Sequence, residues 1–314
     1  MKKLLPIFAV FCFGFSAMAQ TEIADGKSLI EAYISPLGNS LGAALNNGWY
    51  NTAKPHQLGG FDVTITANLV LVPADAKTFN ISESNGSTFS GTGDGNTPTI
   101  LGDKSGGTAT FNGNDFDMPA GLNIPIFPVP MLQAGVGLIK NTEIDVRFMP
   151  EIKMKGVSTG LFGVGVKHDI LQWLPIVDKI PIDVSFQAGY TKLSSQIMLE
   201  DPNSNEKAEA NLDVRATTFN ILLSKKIAMF TAYTGLGYNS TKTTFNVAGN
   251  YKLLGNDFGN DFDVEELTKF EFESNNNLRA NIGFRFQIAV LALQANYTFS
   301  KYPVATVGLG ISIR

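Results

Sequence analysis

Ile182-Asp183-Val184-Ser185-Phe186-Gln187-Ala188-Gly189-Tyr190-Thr191 alternates apolar and polar side chains without a break. A strict period of two places Ile182, Val184, Phe186, Ala188 and Tyr190 on one face of a strand and the small or polar residues on the other. The same pattern recurs along the chain. Ala280, Ile282, Phe284 and Phe286 alternate with Asn281, Gly283, Arg285 and Gln287, and Leu291, Leu293, Ala295, Tyr297 and Phe299 oppose Gln294, Asn296, Thr298 and Ser300. Ala305, Val307, Leu309, Ile311 and Ile313 close the series, Ile144, Val146 and Phe148 sit in its middle, and Phe61, Val63, Ile65, Ala67 and Leu69 open it.

Two all-β architectures produce this alternation, and the polar face separates them. A soluble sandwich turns that face to water and tolerates long charged side chains there. Here it is rich in Gly, Ser, Thr, Asn and Gln, which suits the crowded interior of a closed antiparallel transmembrane barrel. Aromatic residues at strand ends (Phe148, Tyr190, Tyr238, Tyr297, Phe299, Tyr302) match an interfacial girdle. Composition agrees: 44% of the 314 residues are hydrophobic, yet the mean hydropathy is only +0.06. Disorder is excluded by 23 Phe and 8 Tyr, and a disulfide scaffold by a single Cys.

Lys2 and Lys3, the apolar run from Leu4 to Phe15 and Ala17-Met18-Ala19 read as a cleaved secretory signal over 1–19. Cys12 lies inside it, so the mature chain is expected to be cysteine-free, with a net charge of −6 once Lys2 and Lys3 are removed. Such a charge gives no reason to invoke nucleic acid. Short turns fall at 140–142, 225–226 and 287–290, and long polar stretches at 75–117, 199–208 and 248–268. Short periplasmic turns and long outer loops then place ten strands at about 60–73, 131–140, 143–153, 156–168, 180–198, 207–224, 227–247, 269–287, 289–300 and 303–313. A hairpin hidden in 75–117 would raise the number to twelve. The domains are thus 1–19 signal peptide, 20–58 N-terminal helical plug or periplasmic cap, and 59–314 barrel.

Three segments depart from the strand pattern. From Gly26 to Asn47, Leu29, Ile30, Tyr33, Ile34, Leu37, Leu41 and Leu45 recur at helical spacing, with Pro36 interrupting and Gly48 ending the run. Such a helix or helix pair could plug the lumen, cap the periplasmic mouth or lie in the membrane surface. Asp169 to Pro175 reads as a short helix capped by Asp169, with Trp173 as an interfacial anchor. Met118 to Ile139 is free of charge over 22 residues, but Pro119, Pro125, Pro128 and Pro130 forbid a regular helix. This stretch is expected to fold over the rim or pack on the N-terminal helix, or else to line a greasy path inside the barrel.

Catalytic signals are poor. His56 and His168, 112 positions apart, are the only histidines. A His-rich metal centre and a thiolate site are therefore excluded, and neither metal, cofactor nor catalytic residue is expected. His168 reads as a solvated or capping residue rather than the base of a Ser-His pair. The glycine-rich Gly91 to Gly95 has no strand and helix around it for phosphate binding and reads as an outer loop. Asp257, Asp261, Asp263, Glu265 and Glu266 read as a solvated acidic loop, a calcium site being the alternative. Asp62, Glu143, Asp145, Arg147, Asp183 and Arg285 share the polar faces of their strands, where opposite charges can pair across the lumen or define a constriction.

Leu37-Gly38, Gly48-Trp49-Tyr50-Asn51-Thr52-Ala53-Lys54, Gly137 to Pro150, Gly165 to Pro175 and Tyr302 to Gly310 together resemble an uncharacterised family of Bacteroidota outer-membrane proteins, a domain of unknown function. The resemblance covers nearly the whole mature chain and implies no established activity. A more distant, architectural likeness is to hydrophobic-compound channels of the fatty-acid transporter type, which place an N-terminal helical hatch before a barrel. The combined expectation is a monomeric barrel in outer-membrane lipid that passes a small hydrophobic solute. Leu41, Leu45, Trp49 and Tyr50 would form the hatch, and Arg147, Asp183 and Arg285 would tune the constriction. The alternatives are a structural or adhesive barrel without transport, and a membrane-embedded lipid hydrolase.

Overall fold

The structure is a computed structural model that describes residues 20–84, 89–111, 113–154, 156–173, 181–200, 207–249, 269–274 and 277–313. Residues 1–19, expected to be a signal, the acidic cluster at 257–266, Pro175 and Arg314 lie outside the described residues. Helix α1 (Gln20–Leu45) precedes strand β1 (Phe61–Leu71). The connection from β1 holds β2 (Thr78–Asn80), the one-turn α2 (Ile81–Ser84), β3 (Phe89–Gly91), β4 (Asn96–Pro98), β5 (Thr108–Phe111) and β6 (Asn114–Asp117). Then follow β7 (Ile126–Leu138), β8 (Thr142–Met154), β9 (Val157–Asp169), β10 (Asp183–Glu200), β11 (Lys207–Ile227) and β12 (Phe230–Gly249). The last strands are β13 (Lys269–Glu273), β14 (Leu278–Ile288), β15 (Leu291–Phe299) and β16 (Val304–Ile313).

Antiparallel pairing runs from β1 through β7 to β12, then through β14, β15 and β16 back to β1, which closes a ten-strand barrel. The single strand expected over 269–287 is two: β13 and β14 share one position in the wall against β12. Ser274 N donates to Thr241 O and Asn239 N to Asn277 O across that interruption. Among the described residues, no hairpin from 75–117 joins the wall. β2 pairs with β4, and β3, β5 and β6 form a separate small sheet, while Ala76 and Leu101 of the same segment share an apolar core with Leu45, Val70 and Val304 at the barrel's loop end. Gly91 to Gly95 belongs to that layer, Gly91 pairing with Ala109.

The proline-rich stretch also differs from expectation, because 126–138 is strand from end to end. Pro128 and Pro130 face Leu69 and Ala67 of β1, while pairing with β8 begins only at Leu132. Along 126–131 the strand therefore has a ladder on one side alone, where a missing N–H costs little. Pro36 likewise does not divide α1, which runs unbroken through it.

Outward positions form an apolar belt that includes Phe61, Val63, Ile65, Leu132, Val136, Phe148, Phe162, Phe219, Leu236, Phe284, Leu293 and Leu309, all exposed. At about 3.3 Å per residue and a tilt near 40°, the 11 residues of β1 cover roughly 28 Å. Tyr302 is not in the girdle. It is buried, and its hydroxyl accepts from Asn39 Nδ2 of α1.

Candidate functional site

The inner face of the barrel is divided along its axis. Toward the loop end, Val70, Val129, Met131, Leu161, Leu193, Leu212, Val214, Ala216 and Val304 point inward and pack on Leu41, Ala43, Ala44 and Leu45 of α1. Toward the turn end the inward residues are polar: Asp62, Thr64, Gln133, Glu143, Asp145, Arg147, Lys167, Ser185, Gln187, Arg285 and Gln294. The irregular segment 46–56 lies against these, since His56, Asn47 and Asn51 all bond to strand residues there.

The division has a backbone cause. A helix satisfies its own amides and can sit among apolar side chains, whereas an irregular segment needs outside partners for its N–H and C=O groups. The wall supplies them. Arg147 donates from Nη1 to Leu45 O (2.9 Å) and from Nη2 to Asn47 O (2.7 Å). Arg279 Nη1 donates to Asn46 O (2.6 Å), and Asn68 Nδ2 to Ala44 O (2.8 Å) and Asn47 O (3.2 Å). Farther down, Gln133 Nε2 donates to Trp49 O, Ser185 Oγ to Ala53 O, and Ala53 N to Ser224 Oγ. Two guanidinium groups from β8 and β14 thus cap the C-terminal carbonyls of α1, where positive charge also opposes the helix dipole. Gly48, at φ +75°, turns the chain out of the helix axis.

Glycines make room for the segment. The Trp49 indole lies over the paired Gly165 and Gly189 of β9 and β10. A Cβ at either would come within 2.7 Å and 2.5 Å of the ring. The Arg147 guanidinium covers the indole, 3.6 Å from its centroid. On the helix, Gly42 lies against Thr241, where a Cβ would meet Thr241 Cγ2 at 2.5 Å.

All four residues expected to form the hatch are buried inside the barrel: Leu41 and Leu45 in the apolar zone, Trp49 and Tyr50 at the boundary. The Tyr50 hydroxyl donates to Asn281 Oδ1 and accepts from Arg279 Nη2 (both 3.1 Å). Of the residues expected at a constriction, Arg147 holds the helix end and Arg285 Nη1 donates to Asn51 Oδ1 (2.9 Å). Asp183 is half-buried near the turn end, beside Ser224 Oγ (3.3 Å). Arg279, Asn68 and Gln133 were not singled out in the sequence, although each falls on an inward position of its strand.

A second cluster unites residues distant in the chain. His56 Nε2 lies 3.2 Å from Asp62 Oδ1 and 4.0 Å from Glu143 Oε2, while Lys167 Nζ donates to Glu143 Oε1 at 2.7 Å. His168 sits apart at the turn-end rim. Its Nδ1 bonds with Thr142 Oγ1 (2.9 Å), and its Nε2 accepts from Trp173 Nε1 (2.9 Å). With Nε2 accepting, the neutral ring carries its proton on Nδ1 and donates it to Thr142 Oγ1, so it does not draw a proton from that hydroxyl. Trp173 is exposed, and Asp169 Oδ1 accepts from Leu171 N to cap the short turn of 3-10 helix at Leu171–Trp173.

The chain belongs to a family of unknown function, DUF6588, whose profile matches residues 1–313. No curated protein matches it. Among solved structures it is similar to Ail, the attachment invasion locus protein of Yersinia pestis, at 11% identity and TM-score 0.28, covering 82% of this chain and 99% of that one. It is also similar to the translocator domain of the autotransporter NalP from Neisseria meningitidis (11% identity, TM-score 0.32, 90% and 96% covered). A third likeness is to the outer membrane protease OmpT from Escherichia coli (8% identity, TM-score 0.32, 85% and 100% covered). Likeness at that level says nothing of activity.

Proposed function

We propose that this barrel lies in the outer membrane and is a passive, non-enzymatic channel for small hydrophobic solutes, closed at rest by its own segment 20–56. The apolar outer belt supports the location, since its height matches the hydrocarbon layer such barrels cross. One observation carries the channel reading. What closes the lumen is not wall but a separate segment, held in its polar half by side-chain bonds to its backbone. Around that seam Asn46 Oδ1, Trp49 Nε1, Gln187 Nε2, Thr191 Oγ1 and Asn239 Nδ2 are buried without a protein partner. A permanent core closes such groups off, because each buried unpaired group costs about 1–3 kcal/mol. A displaceable segment leaves them for water when it moves. The apolar zone beside α1 is the part of the lumen suited to a hydrophobic solute.

Deleting residues 20–50 tests the reading in planar bilayers and solute-loaded liposomes. The expected result is a steady conductance and uptake of a small apolar solute, absent or rare in the full mature chain. Zero conductance and zero uptake for both would sink it. A second reading is favoured by the outer layer, where Leu29 of α1 packs with Ile81, Phe89, Ala109 and Met118 in a core of its own. A barrel serving to display that layer would conduct in neither form.

A further inference from the structure

We propose that His56, Asp62 and Glu143 bind one divalent transition-metal cation, with Zn²⁺ the best suited, that ties the lumenal segment to the barrel wall. The three are buried, and their donor atoms all lie within 4.8 Å of one another. Imidazole with two carboxylates is a donor set that Zn²⁺ accepts at about 2.0–2.2 Å, which puts ligand atoms roughly 3.3 Å apart. The His56 Nε2 to Asp62 Oδ1 edge already has that length at 3.2 Å, and the edge to Glu143 Oε2 is 4.0 Å.

The surroundings are built around those donors. Asp62 is the first inward residue of β1 and Glu143 that of β8, on either side of β7. Gly135 of β7 lets their carboxylates converge: a Cβ there would stand 2.5 Å from Asp62 Oδ1, 2.8 Å from Asp145 Oδ1 and 3.5 Å from Glu143 Oε1. Gly137 lets the backbone at His56 and Gln57 lie directly on the strand, since a Cβ would meet Gln57 O at 2.0 Å. The second oxygen of each carboxylate is held by another donor, Asp62 Oδ2 by Thr64 Oγ1 (2.8 Å) and Glu143 Oε1 by Lys167 Nζ (2.7 Å). Outer partners of this kind orient ligating carboxylates.

Charge and space point the same way. Asp62, Glu143 and Asp145 place three carboxyl groups together, but Lys167 pairs with Glu143, and Arg147 spends its donors on Leu45 O, Asn47 O and Gln133. Asp145 Oδ1 accepts only from the neutral Gln133 Nε2 among the described residues, and its Oδ2 is buried with no partner. Three buried carboxyl groups beside the two cations Lys167 and Arg147 leave a negative charge that a further cation, or a proton, balances. Beside them lies a cavity of about 10 Å³, lined among others by His56, Asp62, Thr64, Gln133, Glu143 and Lys167. That is the size of one water or one ion.

This inference stands apart from solute passage, because occupancy is read as metal content. The full mature protein, purified in detergent and stripped with chelator, is titrated with Zn²⁺ and desalted, and its metal is measured by mass spectrometry. One equivalent per chain is expected, with an X-ray absorption spectrum showing an imidazole among nitrogen and oxygen ligands. His56→Ala and Asp62→Asn should each weaken binding at least tenfold, while His168→Ala leaves it unchanged; circular dichroism and heat-modifiable gel mobility establish that each variant is folded. Failure of the wild type to retain Zn²⁺, an absorption spectrum without imidazole, or retention unaffected by both folded variants would each overturn the proposal. The first of these results would leave the carboxyl cluster balanced by protons alone.

Discussion

Arg147→Met should loosen the lumenal segment by one to three orders of magnitude. The substitution keeps an unbranched stem and removes every donor. Leu45 O then loses the guanidinium that caps it, at about 1–3 kcal/mol for a buried acceptor left bare. Asn47 O keeps Asn68 Nδ2 at 3.2 Å and so loses less, about 0.5–1.5 kcal/mol. The stacked contact with Trp49 contributes up to about 2 kcal/mol when desolvated. Part of this is offset because a buried guanidinium no longer has to be stripped of water. A net of about 2–4 kcal/mol corresponds to a roughly 30- to 1000-fold larger undocked fraction. Cys12 is the chain's one cysteine, so in a protein expressed from Gln20 onward Thr52→Cys supplies a unique buried thiol. Its rate of maleimide labelling in vesicles reports undocking directly. The rate in Thr52→Cys/Arg147→Met should exceed that in Thr52→Cys alone by the factor above. A change of less than about threefold in a folded double variant would refute the assignment of Arg147 as the clamp on the helix end.

Thr52 Oγ1 and Ser224 Oγ lie 3.2 Å apart, so Thr52→Cys/Ser224→Cys should form a disulfide that locks segment to wall. Whatever conductance the full chain shows should vanish on oxidation and return on reduction. Gly189→Ala puts a methyl against the Trp49 indole and should cost about 1–3 kcal/mol, with Trp49 emission shifting to the red in a Trp173→Phe background. An unchanged melting temperature and spectrum would show that the ring does not rest on the glycine pair. Burial lifts the Tyr33 hydroxyl, which donates to Ala120 O, to about 12. Its folded pKa lies above the ordinary value of 10.0, so the contribution is complete below pH 10 and is lost as pH rises toward 12. Protease protection of the outer layer should fall over that window in the wild type and not in Tyr33→Phe.

Strand alternation was legible because each residue's face depends only on its own backbone and its place in a period of two. Ile182 to Thr191 therefore announced a wall, and the size of its polar side chains announced an enclosed interior. The helical stripe from Leu29 to Leu45 was legible for the same local reason. Positions that depend on a partner were not. Pro128 and Pro130 argued against a strand until pairing with β1 alone made their missing N–H groups harmless. Pro36 argued for a break in a helix that runs unbroken from Gln20 to Leu45. Tyr302 looked like a girdle residue until Asn39 of the helix met its hydroxyl inside.

By itself the sequence determined an all-β barrel with an N-terminal helix, and it marked Arg147, Arg285, Asp62 and Glu143 as inward charges. Only the tertiary structure decided what those charges do. The arginines meet backbone carbonyls of a segment about 100 and 234 residues away or its side chains, and His56 meets two carboxylates from different strands. Closure of the barrel creates these neighbours. Periodicity sorts residues between two faces, but the register around a closed ring chooses which of them touch.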